Sequence, residues 1–172
     1  MLVRAPGHAT LRVEHRMEFE RFLAVLRALE HERVEYVLVG ATALGLHGII
    51  RATEDMDLFV RPTADNVERL RRALRTVWDD PDIDQIRPED LAGEFPTIRY
   101  GPPGEDFVID LLSRLGSAFG FDDLEAEVLT VEGIRVCVAT PATLYRMKKD
   151  TVRPIDRADA AALKEKFGLG DG

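Results

Sequence analysis

Asp55 and Asp57 lie two positions apart in the segment Tyr36–Val60, YVLVGATALGLHGIIRATEDMDLFV, and a third carboxylate, Asp110, sits in a similar apolar setting in DFVIDLL. On an extended chain, residues i and i+2 project from the same face, so the two aspartates stand side by side while Met56 faces the other way. Carboxylates placed like this share hard divalent cations, which take oxygen ligands. Gly40 ends the apolar run ahead of them, and a glycine turn leading into a helix lets backbone N–H groups approach phosphate. Three carboxylates beside such a turn point to magnesium, a nucleoside triphosphate and phosphoryl chemistry. Asp55, Asp57 and Asp110 are the candidate metal ligands and catalytic groups, with Asp110 completing a second metal position and helping to deprotonate an attacking hydroxyl. A two-metal site of this kind stabilises both attacking and leaving oxygens of an in-line displacement. Gly40, Ala41 and Thr42 are the candidate triphosphate turn, and Arg51 and Lys148 the candidate cations beside departing pyrophosphate.

The elements that must position these groups are legible as patterns. Phe19, Phe22, Leu23, Leu26 and Leu29 recur at helical spacing between Glu18 and Glu30. Tyr36 to Val39 reads as a short buried strand, Ala41 to Leu46 as the start of a helix and Asp57 to Val60 as a second strand. Pro62-Thr63 opens a helix reaching about Thr76, with Val67, Leu70 and Leu74 on one side. Trp78 to Gly93 reads as loop with one helical turn. Thr97 to Tyr100 and Phe107 to Leu111 form a predicted hairpin across Gly101-Pro102-Pro103-Gly104, and Val128 to Val131 and Ile134 to Val138 a second one turning at Glu132-Gly133. Thr140-Pro141 starts a helix that runs to about Asp150, and a last helix spans Ile155 to Phe167. The expected fold is therefore α/β (α+β): a single mixed sheet covered by helices. Pairing of the later strands into hairpins argues against a doubly wound sheet, and no GxGxxG or GxxxxGK[ST] occurs. One domain over residues 1–172 is expected, with a core over about 34–138 and a helical part over about 140–167.

Composition narrows the partners. At 45% hydrophobic and 31% charged residues the chain reads as globular, and no apolar run reaches the roughly 18 residues of a membrane span. No apolar signal core is found at the N-terminus, and Cys137 is the only cysteine, so a cytoplasmic setting without disulfides is expected. The net charge of −8 opposes indiscriminate binding to nucleic acid, which needs Lys and Arg against phosphates. Local basic segments remain at Arg69, Arg71, Arg72 and Arg75 and at Arg146, Lys148, Lys149 and Arg153. His8, His15 and His31 lack metal-ligand spacing, and Ser113 and Ser117 lack a nucleophile-elbow context.

The run Val39-Gly40-Ala41-Thr42 followed by Asp55-Met56-Asp57-Leu58, with Asp110 on a later strand, resembles the signature of the DNA polymerase β-like nucleotidyltransferase superfamily. Within it, His47-Gly48, Arg51-Ala52-Thr53, a lysine at 148 or 149, and Arg153, Asp156 and Asp159 are most similar to the abortive-infection (AbiE-type) toxin nucleotidyltransferases and their small relatives. The resemblance spans residues 34 to 166. It implies a polymerase-β-like fold and a Mg²⁺-dependent transfer of a nucleoside monophosphate from an NTP, with release of pyrophosphate. It also implies a tRNA 3′ end or a protein hydroxyl as acceptor, and a cognate partner protein in a toxin–antitoxin or phage-defence setting. The sequence departs from the family pattern at Ala41, where Gly or Ser is usual; its N–H remains available, and Thr42 places a hydroxyl one position later.

Each residue has a plainer reading as well. Gly40 serves as a simple turn glycine, His47 as a packed helix-end residue, and Arg51 as an ion-pair partner of Glu54 or of a site aspartate. Lys148 and Lys149 occupy different faces of a helix, so only one meets a given site. Arg153, Asp156 and Asp159 read more readily as an ion-pair network than as chemistry. The rival function is a non-catalytic, antitoxin-like binding module on the same fold, favoured by Ala41 and opposed by three mutually repelling carboxylates.

Overall fold

The computed structural model describes residues 8–51, 55–93 and 97–171, with residues 8–17 as backbone alone. Ala52, Thr53 and Glu54, named above, lie outside the described residues. Helix α1 (His8–His31) leads into strand β1 (Tyr36–Val39), helix α2 (Gly40–Leu46), strand β2 (Asp55–Val60) and helix α3 (Ala64–Val77). A 3₁₀ turn at Pro81–Gln85 and the short α4 (Pro88–Ala92) precede β3 (Thr97–Tyr100) and β4 (Val108–Leu112). A two-residue ribbon, β5 (Arg114–Leu115) with β6 (Phe119–Gly120), and a 3₁₀ turn at Phe121–Asp123 lead to β7 (Ala126–Val131) and β8 (Ile134–Ala139). Helices α5 (Pro141–Lys148) and α6 (Pro154–Phe167) follow. Among the described residues no helix is long and apolar enough to cross a membrane.

One mixed sheet runs in the order β3-β4-β2-β1-β8-β7. β1 pairs antiparallel with β2, β3 with β4 and β7 with β8, whereas β2/β4 and β1/β8 are parallel. β1 is buried at every position, which requires cover on both faces of the sheet. Helices supply it: α1 packs on α3 and β8, while α2 packs on β1, β2 and α5, and α5 on α6. Phe59, Leu58, Met56, Leu38, Leu26 and Leu70 are fully enclosed, each such side chain stabilising by roughly 1.5–3 kcal/mol through burial.

Local chemistry sets the element ends. The Thr63 hydroxyl accepts from the Asn66 N–H at 3.3 Å and caps α3, and the Thr140 hydroxyl accepts from the Thr143 N–H at 3.2 Å and caps α5 ahead of Pro141. Glu132 and Gly133 both have positive φ, 49° and 78°, the backbone of a tight hairpin turn between β7 and β8. Both expected hairpins form, and the mixed α/β sheet is the one anticipated. The Trp78–Gly93 segment carries more structure than one helical turn: Pro81 and Pro88 each open a short helix, and Asp80 caps the first by accepting from the Asp82 N–H at 3.0 Å. β2 starts at Asp55 rather than Asp57, because Asp55 and Met56 find partners in Val108 and Ile109 of β4.

Candidate active site

Strand register assembles the carboxylates. The parallel pairing of β2 with β4 sets Asp57 opposite Asp110 and Asp55 opposite Val108. Opposed residues share a face, and Asp55 joins it by the i, i+2 alternation. On the other face Met56, Leu58, Ile109 and Leu111 are all enclosed in the core, which anchors both strands and fixes which way the aspartates point.

Gly40 follows Val39, the β1 partner of Asp57. It adopts φ +70°, and a Cβ at that position would overlap the Asp57 carboxylate. The side of Gly40 that a Cβ would occupy faces the Asp57 carboxylate. Ala41 and Thr42 continue into α2. The Thr42 hydroxyl oxygen is buried and has no hydrogen-bond partner among the described residues.

Crowding shows in the electrostatics. Burial, then the charges of Asp110 and Asp55, push the Asp57 carboxyl up to about 6, against the opposing pull of Lys148 and Arg99. Asp110 is raised as well, by burial first and by Asp55, with Arg99 pulling it back. Arg99 was not among the residues singled out from the sequence. It sits opposite Asp110 in the antiparallel β3/β4 register. Its Nη2 lies 3.4 Å from Asp55 Oδ2 and its Nη1 3.6 Å from Asp110 Oδ2. An arginine on the first strand of the hairpin faces the aspartate of the second only once the register is known.

The two candidate cations are already engaged by α6. Lys148 Nζ donates to Asp156 Oδ1 and to Asp159 Oδ2, both at 3.0 Å, and Arg51 also pairs with Asp159 Oδ2. Arg153 Nε lies 3.8 Å from Asp156, and the Thr151 hydroxyl donates to the same carboxylate at 3.2 Å. Arg153, Asp156 and Asp159 thus belong to an ion-pair network. Lys148 is the lysine whose charge favours the ionised form of Asp57, whereas Lys149 lies over the Tyr145 ring. His47 donates from Nε2 to the Ala139 carbonyl at 2.8 Å and meets the edge of Phe167, so it ties α2 to β8 and α6. Cys137 is half-buried and its thiol is pushed up by burial, the opposite of an activated thiolate.

Among the described residues, no three carboxylate, imidazole or thiol groups converge tightly enough to clasp an ion as they stand. Arg99 bridges Asp55 and Asp110. The donor set itself suits a hard divalent cation: three carboxylates on one face, with mutual repulsion that a cation relieves. Beside Arg99 a cavity of about 690 Å³ opens between β3 and the short helices, lined also by Asp82, Ile86, Glu89, Asp90 and Tyr100.

A family model described as nucleotidyl transferase AbiEii toxin, type IV TA system, matches residues 21–160. That span includes Gly40, all three aspartates, Arg99, Lys148 and the Asp156/Asp159 pair. No curated protein matches the chain. The match covers most of the chain and the whole carboxylate face, and the chain belongs to the AbiEii nucleotidyltransferase toxin family of type IV toxin–antitoxin systems.

Proposed function

We propose that the protein transfers a nucleoside monophosphate from an NTP to an acceptor hydroxyl, on a tRNA 3′ end or a protein, and releases pyrophosphate. The observation that carries this reading is the placement of Asp57 opposite Asp110 on adjacent parallel strands, with Asp55 on the same face. Asp55, Asp57 and Asp110 would hold Mg²⁺. When bound, the metal supplies charge neutralisation at the phosphates and lowers the pKa of a coordinated hydroxyl. Asp110, opposite Asp57 on the same face, would receive the proton of the acceptor hydroxyl. Gly40, Ala41 and Thr42 form the turn beside Asp57 on which the triphosphate is read, through the backbone N–H groups of Ala41 and Thr42. Lys148, held by Asp156 and Asp159 and favouring the ionised form of Asp57, orients the phosphates, with Arg51 in the same network. As a type IV toxin the protein has a cognate antitoxin, and its activity is the one that antitoxin opposes.

Binding and chemistry are tested separately. Mg²⁺ with an NTP should raise the melting temperature of the wild-type chain and not that of Asp57→Asn. Pyrophosphate release, measured with total tRNA and with extract proteins in separate reactions, should then assign the acceptor class. Absence of both NTP stabilisation and pyrophosphate release would favour a non-catalytic binding module.

A further inference from the structure

The guanidinium of Arg99 lies across the carboxylate face, and the proposed transfer leaves it without a role. We propose that Arg99 is a resident counter-ion: it holds the place between Asp55 and Asp110 that a divalent cation takes, and it leaves when the cation binds. This inference rests on the reading of Asp55, Asp57 and Asp110 as metal-holding residues.

The geometry distinguishes Arg99 from the other cation of the site. Lys148 is locked: its side chain is 14% exposed and it donates to two carboxylates at 3.0 Å. The Arg99 side chain is 63% exposed, and its approaches of 3.4 Å to Asp55 and 3.6 Å to Asp110 are longer than the roughly 2.7–2.9 Å of close charge-assisted hydrogen bonds. It is therefore held by charge rather than by a tight fit, on an edge strand where a long side chain can swing. The adjoining cavity, lined by Arg99 together with Asp82, Glu89 and Asp90, gives a displaced guanidinium both room and opposite charge.

The energetics run the same way. Three carboxylates on one face repel, and Arg99 offsets that repulsion while no metal is bound. A monovalent guanidinium is a partial substitute for a divalent ion, so the exchange is favourable once the ion is available, and the arginine weakens metal binding for as long as it competes. In the water-like dielectric around a side chain this exposed, one competing charge about 5 Å away changes the affinity of a divalent ion by about tenfold.

The test is Mn²⁺ binding to the full chain without nucleotide, read by the electron paramagnetic resonance of free Mn²⁺, for wild type, Arg99→Gln and Arg99→Lys. Thermal unfolding is recorded in parallel with a chelator and with saturating Mn²⁺. Arg99→Gln should bind Mn²⁺ about tenfold more tightly than wild type, and Arg99→Lys should fall between them. In chelator Arg99→Gln should melt below wild type at neutral pH, and saturating Mn²⁺ should remove that difference, because the metal then does what the arginine did. Equal or weaker Mn²⁺ binding by Arg99→Gln overturns the Arg99 proposal and leaves the metal-holding reading in place. Failure of all three chains to bind Mn²⁺ overturns that reading, and the role of Arg99 with it.

Discussion

The carboxylate of Asp57 occupies the space that Gly40 leaves by having no side chain: the glycine sits at φ +70° directly after the β1 partner of Asp57, and a methyl group there would overlap the carboxylate oxygen. Spacing alone places a glycine before two aspartates; the structure makes the glycine a condition for where the second aspartate rests.

Gly40→Ala should therefore act in two ways. A left-handed backbone costs a non-glycine residue roughly 1–2 kcal/mol, and the collision with Asp57 adds to it. Urea unfolding should show a loss of about 1–3 kcal/mol, with transfer abolished because Asp57 is displaced. In an Asp57→Ala background the same substitution should cost less, by about 1 kcal/mol, as expected for residues in contact. Strict additivity would mean that the two residues do not share that space.

Stability should depend on pH through Asp57. Its folded carboxyl is raised from 3.8 to about 6, so the folded state holds the proton more tightly than the unfolded chain does. The resulting stabilisation is complete below the ordinary carboxyl value and is lost as pH rises through about 6. The loss is at most about 3 kcal/mol at 1.36 kcal/mol per pH unit, and Asp110 adds to it in the same direction. The metal-free chain should resist urea better at pH 5 than at pH 7.5, and Asp57→Asn should flatten that slope and be the more stable at pH 7.5. Parallel profiles for the two chains would remove Asp57 as the source.

The neighbouring lysines should separate sharply. Lys148→Met removes a cation that favours ionised Asp57 and meets two buried carboxylates, so it should lower transfer by more than tenfold and raise the KM for NTP. Lys149→Met should change either by less than about twofold, as for a surface position. Steady-state kinetics on the two variants is the measurement.

Asp159 is 3% exposed and accepts from both Lys148 and Arg51. Asp159→Ala leaves two cations without their shared partner and should cost about 3 kcal/mol in urea unfolding. It should also lower transfer, since α6 then holds Lys148 through Asp156 alone.

Much of this was legible from the residues. Asp-apolar-Asp after a glycine marks its own face by alternation, and both hairpins and the caps at Thr63 and Thr140 follow from turn and capping chemistry. Arg99 was not legible, because its position against Asp110 depends on a strand register that the Gly- and Pro-rich connection does not reveal. The capture of Arg51 by Asp159 spans 108 positions and depends on how α6 folds back over α5. Gly40 stood out in the sequence, but its contact with Asp57 did not, since only the β1/β2 register brings Asp57 beside it.

The most direct measurement is label transfer from an α-labelled NTP in the presence of Mg²⁺, with total tRNA and extract proteins as acceptors, comparing wild type with Asp57→Asn. The expected result is label on one acceptor class with wild type, lost with Asp57→Asn while that variant remains folded and at least as stable. Equal labelling by both chains, or none by wild type on either class, would contradict the assignment of the carboxylate face as the site of transfer.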